Sequence, residues 1–65
     1  MKMNLSFIKS RRKDIGLSMQ YMAESLGFKT ASTYYKYENG YYEFRADMLP
    51  IMAKILKCEI KNFFA

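Results

Sequence analysis

The sequence has 65 residues, of which 51% are hydrophobic, and 11 basic against 6 acidic residues give a net charge of +5. A chain of this length has room for one small domain, predicted to span residues 1–65. It contains no histidine and one cysteine, Cys58. This composition excludes an intrachain disulfide and lacks the residues of most metal sites and catalytic triads. We therefore predict no metal and no cofactor.

The chain is also predicted to be cytoplasmic, with no membrane partner. No stretch approaches the roughly 18 consecutive apolar residues that cross a bilayer. Polar residues interrupt any apolar core of a signal peptide near the N-terminus, at Asn4, Ser6 and Lys9. The positive net charge favours a polyanionic partner, although many small basic domains bind none.

Two helices are predicted in the first part of the chain. The first covers Asn4 to Asp14 and closes at Gly16, which can adopt the left-handed conformation that ends many helices. Ser18 is the predicted N-cap of the second helix, and Gly27 stops that helix after barely three turns. The apolar residues of the second helix recur at helical spacing at Met19, Met22, Ala23 and Leu26.

Three more helices are predicted in the remainder, which makes the fold all-α with five helices. The third opens at Lys29 or Thr30 and runs to the Asn39-Gly40 terminator. A fourth is predicted with Asp47 as N-cap, because this places Pro50 in the first turn, where its missing N–H is no loss. A short fifth helix, roughly Glu59 to Phe64, would place Ile60 and Phe63 on one face.

The second and third predicted helices, joined by a short turn with a glycine, match a helix-turn-helix. Ala23 is small enough for the point where the helices cross, and Gly27 provides the positive φ that the turn needs. Tyr34 and Tyr37 are predicted to anchor the third helix in the core, with their hydroxyls at its edge. The remaining face of that helix is short and polar, as insertion into a major groove requires.

The run from Ser18 to Gly40 resembles the Cro/lambda-repressor (XRE-type) family, and the likeness extends over nearly the whole chain. Its other elements are Ile15-Gly16-Leu17 after a basic first helix, Ala23 with Gly27, Glu38-Asn39-Gly40, Leu49-Pro50, and Ala53 with Leu56. Each element alone occurs often by chance, so the resemblance rests on the order and spacing of all of them together. The resemblance implies a five-helix lambda-repressor-like DNA-binding domain.

The resemblance also implies roles for individual residues. An arginine of the first helix pairs with the glutamate before Asn-Gly in this family, which implies a structural pair between Arg12 and Glu38. The third helix faces base edges, which implies base contacts by Thr30, Ala31, Ser32, Tyr35 and Lys36. Phosphate contacts are predicted for Gln20, Lys29, Asn39, Tyr41, Tyr42 and Arg45.

The sequence departs from the family at two places and leaves two roles open. The phosphate-binding glutamine after the second N-cap is replaced by Met19, with Gln20 one residue late, and the turn carries an extra residue. Tyr41 and Tyr42 either pack within their loop or contact phosphate. Phe64 is either a frayed terminus or a homodimer contact.

The predicted function is a sequence-specific transcriptional regulator, a repressor that binds a palindromic operator in double-stranded DNA as a homodimer, through its third helix. The alternative is a protein-binding modulator, such as an antirepressor or antitoxin, that acts on a second repressor. The missing glutamine and the tyrosine-rich surface favour this alternative. An enzyme is not predicted, because the chain offers no nucleophile–base pair and no set of metal ligands.

Overall fold

The computed structural model describes residues 2–64, and within them the fold is all-helical. The α-helices are α1 (Leu5–Ile15), α2 (Met19–Ser25), α3 (Ala31–Glu38) and α4 (Leu49–Ile55), with one-turn 3-10 helices at Ala46–Met48 and Ile60–Phe63. A single antiparallel β-bridge joins Met3 to Phe64. No helix in this range is both long and apolar enough to cross a membrane. The all-α prediction is confirmed.

The predicted count of five helices is wrong, because residues 2–64 contain four α-helices. The segment expected to form the fifth is the 3-10 helix Ile60–Phe63, where a reciprocal capping box between Glu59 and Asn62 closes a single turn. Phe63 is fully buried and its ring lies 6.3 Å from that of Phe7. Ile60, three residues earlier in the same turn, is 40% exposed, so of the two residues Phe63 is the one that belongs to the core.

The first three helices begin at side-chain N-caps. The side chains of Asn4, Ser18 and Thr30 accept hydrogen bonds from the backbone N–H groups three residues later, at 3.1, 3.0 and 3.4 Å. Such bonds satisfy N–H groups that have no partner inside the helix. The predicted cap at Ser18 is confirmed, and of the two starts left open for the third helix the structure has Thr30 as its cap.

The predicted N-cap at Asp47 is wrong. Asp47 lies within the 3-10 turn Ala46–Met48, which leads directly into α4, and neither start carries a side-chain capping bond. The Asp47 carboxylate instead accepts a hydrogen bond from Arg45 at 3.3 Å, which turns it away from the helix. Pro50 does lie in the first turn of α4, where it costs no hydrogen bond.

The core lies where all four helices meet. Its fully buried side chains come from each of them and from the last 3-10 helix: Ile8, Met22, Ala23, Tyr34, Met52, Leu56 and Phe63. Three of the buried residues are methionines, Met22, Met48 and Met52, whose flexible side chains fill irregular space in a core. Because α3 contributes a full tyrosine to this core, one side of α3 is fixed inward.

The end of α4 is unusual, since Lys57 has a left-handed backbone with φ of 53°. The N–H of Cys58 donates to the carbonyl of Ala53 at 3.0 Å, a pattern that usually has glycine at the left-handed position. Arg11 of α1 donates to the carbonyls of Leu56 and Lys57 at 2.8 and 2.9 Å. Arg11 thus satisfies carbonyls at the end of α4, a role that sequence analysis missed because the partners are 45 and 46 residues away.

Replacing Lys57 with glycine is expected to raise the free energy of unfolding by about 1 kcal/mol, since glycine adopts this conformation without steric cost. Lys54→Gly is the matched control, because Lys54 lies inside α4, where glycine lowers stability by about 1 kcal/mol. Urea unfolding followed by circular dichroism measures both. Losses of equal size in the two variants would contradict the assigned helix end.

Candidate nucleic-acid interface

The turn between α2 and α3 is closed by two backbone hydrogen bonds. The N–H of Phe28 donates to the carbonyl of Ala23 at 2.8 Å, and that of Gly27 to the carbonyl of Glu24 at 3.2 Å. Gly27 has φ of +82°, a conformation that costs an L-residue about 1–2 kcal/mol. This helix end reverses the chain within a few residues, so that α3 packs directly against α2.

The turn gives α3 an inner and an outer face. Tyr34 and Glu38 are buried on the inner face, and Tyr37 is half-buried beside them. The outer face carries the four exposed residues of α3 and its C-cap at helical spacing, Ser32, Tyr35, Lys36 and Asn39. These residues form one continuous stripe, because positions i, i+3, i+4 and i+7 of a helix share a side.

The amino end of α3 is also open to solvent. Lys29 and Thr30 are exposed, and Ala31 is half-buried. The Thr30 hydroxyl oxygen accepts the Thr33 N–H at 3.4 Å and lies 3.3 Å from the Thr33 hydroxyl. Capping therefore uses part of the hydrogen-bonding capacity of Thr30, whereas the Ser32 hydroxyl is exposed on the outer face.

A buried ion pair fixes the carboxyl end of α3. Arg12 donates from Nε and Nη2 to the two carboxylate oxygens of Glu38 at 2.9 and 3.1 Å, and from Nη1 to the carbonyl of Leu17 at 2.9 Å. The Tyr34 hydroxyl donates to Glu38 Oε2 at 2.7 Å. The side chains of Arg12 and Glu38 are only 8% and 0% exposed. The hydrogen bond with Glu38 raises the pKa of Arg12, so this network joins α3 to α1 and to the α1–α2 turn in its charged form.

Stability should fall at alkaline pH because of Tyr34. Burial, and then the hydrogen bond to Glu38, raise the pKa of Tyr34 far above its ordinary value of 10.0. The unfolded chain loses the proton of the Tyr34 hydroxyl at a lower pH than the folded chain does. The stability that this group contributes is therefore complete below pH 10. Above pH 10 the free energy of unfolding falls by about 1.4 kcal/mol per pH unit. Urea unfolding on both sides of pH 10 should give a shallower decline for Tyr34→Phe than for the wild type. Identical slopes would contradict this assignment.

An aromatic cluster of Phe28, Tyr37, Tyr42 and Phe44 joins the turn before α3 to the loop after it. The rings of Phe28 and Tyr37 stack with centroids 4.8 Å apart. Tyr37 meets Tyr42 edge-on at 5.3 Å and Phe44 at 5.4 Å. Sequence analysis gave Phe28 and Phe44 no role, and the aromatic composition of the loop was the only signal for one. The cluster holds α3 at both ends, with its outer face toward solvent.

A family model described as helix-turn-helix matches residues 8–63. The chain belongs to the Cro/C1-type (XRE) helix-turn-helix family. Searches of curated proteins and of solved structures gave no match. Members of this family are DNA-binding transcription regulators. Because the second helix of a helix-turn-helix is the one that enters the major groove in such proteins, the outer face of α3 is the candidate DNA surface.

Three of the six predicted phosphate contacts of the helix-turn-helix already have partners within the chain. The Gln20 amide donates to the Glu24 carboxylate at 3.0 Å, and the Asn39 amide donates to the Tyr35 carbonyl at 2.9 Å. Arg45 donates to Asp47 at 3.3 Å. The other three, Lys29, Tyr41 and Tyr42, are exposed. These internal bonds orient Gln20, Asn39 and Arg45 and leave their remaining N–H groups for a phosphate.

The net positive charge lies outside the helix-turn-helix and its following loop. Residues 19–48 contain three basic and four acidic residues, a net charge of −1, whereas the rest of the chain contains eight basic and two acidic residues, a net charge of +6. Since phosphate attraction comes from lysine and arginine, the outer face of α3 depends on hydrogen bonding and shape more than on charge.

Phe64 lies at the carboxyl end of the described residues, in a groove that Tyr42 and Phe44 of the loop after α3 also line. It is half-buried and packs against the core, and its backbone forms the bridge with Met3. Its ring is therefore partly exposed and its position is fixed by the amino-terminal segment. The structure describes a single chain, so the predicted homodimer contact at Phe64 stays a prediction.

Proposed function

We propose that this helix-turn-helix protein is a transcriptional repressor that reads the major groove of its operator with the first turn and the outer face of α3. The continuous exposed stripe of α3, opposite a fully packed inner face, is the observation that carries the proposal. The Ser32 hydroxyl can adapt to several base edges, and the Ala31 methyl can contact a thymine methyl. Thr30, which precedes these residues in the chain, and Tyr35, which follows them, complete the proposed base-reading surface.

The proposed operator is an inverted repeat bound by a homodimer. A helix of eight residues covers only one half-site, and the second α3 of a dimer would reach the same groove about one helical turn away. The partly exposed Phe64 is the residue proposed to contact the second protomer, because a half-covered aromatic ring gains area when a partner packs on it.

In vitro selection from a random duplex pool with the wild-type chain tests this function. The selected duplex should bind more tightly than a scrambled duplex of the same composition. Ser32→Ala should weaken binding to the selected duplex roughly twofold to tenfold, the effect of one lost hydrogen bond, and leave the scrambled duplex unaffected. Ser10→Ala, an exposed change on α1, is the control and should bind like the wild type. Equal wild-type affinity for both duplexes would refute operator reading.

A second function, binding to another regulator, is favoured by the tyrosines around α3. Tyr35, Tyr41 and Tyr42 are 48%, 71% and 48% exposed on a segment whose net charge is −1. Exposed tyrosines are enriched in protein interfaces, and the absence of net positive charge weakens attraction to DNA. A stoichiometric complex with the regulator encoded beside this gene, together with no duplex enriched in the selection, would establish this function instead.

A further inference from the structure

Lys36 and Tyr42 form a cation–π pair at the carboxyl end of α3. The Lys36 ammonium lies 5.7 Å from the centroid of the Tyr42 ring, within the distance at which the ring face attracts a cation. The Lys36 carbonyl accepts the N–H groups of Tyr41 and Tyr42 at 2.8 and 3.3 Å. A backbone hydrogen bond and a cation–π contact thus both join Lys36 to Tyr42.

The Tyr42 ring is itself held in place. It meets Tyr37 edge-on at 5.3 Å, and Tyr37 stacks on Phe28 in the turn before α3. About half of Tyr42 stays exposed, and Lys36 itself is exposed, so the pair lies at the protein surface. The ring is therefore fixed by the aromatic cluster and by the backbone bond to Lys36, and not by the Lys36 side chain.

Lys36 differs from the other basic residues of this segment in its partner. Arg45 is paired with a carboxylate. Lys29 and Lys36 have no ion pair within residues 2–64, and of these two Lys36 is the one that lies against an aromatic ring. An aromatic ring orders a cation without neutralising it. The Lys36 charge consequently remains available to an anion, in a segment that has few free positive charges.

We infer that Tyr42 is a positioning residue, which holds the Lys36 ammonium at the carboxyl end of α3 to bind a DNA phosphate and not a base. Bases are read from the amino end of a recognition helix, and Tyr42 holds Lys36 at the opposite end. This assignment rests on the proposed function and changes the base contact first predicted for Lys36 into a backbone contact.

Salt-dependent binding to the selected and the scrambled duplex tests the inference. Lys36→Met should weaken binding to both duplexes by the same factor and reduce the slope of log K against log salt by about 1. Tyr42→Leu should weaken both roughly twofold to fivefold, the range of an exposed cation–π interaction. Tyr42→Phe keeps the ring and loses only the hydroxyl, so it should weaken binding less than Tyr42→Leu does.

The double variant Lys36→Met with Tyr42→Leu distinguishes positioning from a direct role. If Tyr42 acts through Lys36, Tyr42→Leu has no further effect once Lys36 is methionine. The inference is overturned if Lys36→Met lowers the preference for the selected duplex without changing the slope, or if Tyr42→Leu weakens binding equally in both backgrounds. The predicted changes in affinity also occur on the scrambled duplex, so they can be measured even if the wild type prefers neither duplex. A wild type without preference would refute operator reading and leave this inference testable. If the wild type binds neither, both proposals fail.

Discussion

Replacing Glu38 with glutamine is expected to lower the free energy of unfolding by about 3 kcal/mol, because it leaves the Arg12 guanidinium buried without its counter-charge. Glu38 accepts two hydrogen bonds from Arg12 and one from Tyr34, and its side chain is fully buried. The total stability of a domain of this size is roughly 3–10 kcal/mol. The variant should therefore be marginally folded at room temperature, as measured by urea unfolding and circular dichroism.

Two controls separate the buried charge from other effects. Glu59→Gln removes the same charge from an exposed pair with Lys61, whose atoms are 3.9 Å apart. Glutamine keeps a side-chain oxygen for the capping box with Asn62, so the loss of stability should stay below about 1 kcal/mol. Replacing both Arg12 and Glu38 with methionine should recover at least half of the loss, because apolar side chains of similar size pack in place of the pair. If Glu38→Gln is as stable as Glu59→Gln, the pair does not hold α3 to α1.

Replacing Gly27 with valine is expected to lower the free energy of unfolding by about 2 kcal/mol and to impair DNA binding. A Cβ at this position would meet no described atom within 4 Å beyond the neighbouring residues, so the cost is backbone strain at φ of +82°. This conformation is most unfavourable for β-branched residues. Gly27→Asn should lose less than Gly27→Val, because asparagine tolerates the left-handed region.

Gly16→Val is the matched control for binding. Gly16 also has a positive φ, of +88°, and equally open surroundings among the described atoms, so the two valine variants should lose similar stability. Strain at Gly27, unlike strain at Gly16, lies in the turn that orients α3, so any part of it that is relieved rotates α3 relative to α2. Binding would have to restore this part, which is at most about 2 kcal/mol and lowers affinity for the selected duplex by up to about thirtyfold. Equal affinities of the two folded variants would contradict the role of this turn.

Local signals in the sequence were sufficient for most of the fold. Ser18, Gly27 and the Asn39-Gly40 pair mark helix ends through bonds that span only a few residues, and such bonds depend on local residue types. The start of α4 was missed because the 3-10 turn Ala46–Met48 leads directly into it, which places Asp47 inside a helical turn and not before one. The left-handed Lys57 was missed because its conformation is supported by Arg11 from a distant helix.

The candidate site was predictable in outline and not in detail. Helical periodicity separates the outer residues Ser32, Tyr35 and Lys36 from the inner Tyr34 and Tyr37. Periodicity does not give side-chain rotamers, which determine whether a polar group faces solvent or a neighbour. The bond between Gln20 and Glu24 and the position of Lys36 over Tyr42 are of this kind. They change which groups are free to bind phosphate.

A titration of the isotope-labelled chain with the selected duplex, followed by backbone amide chemical shifts, tests the central claim most directly. The account predicts that the largest shifts occur from Thr30 to Lys36, on the outer face of α3, with little change at the exposed Ile51 and Ile60. Large shifts around Ile51 and Ile60, with the Thr30–Lys36 segment unperturbed at saturation, would contradict it.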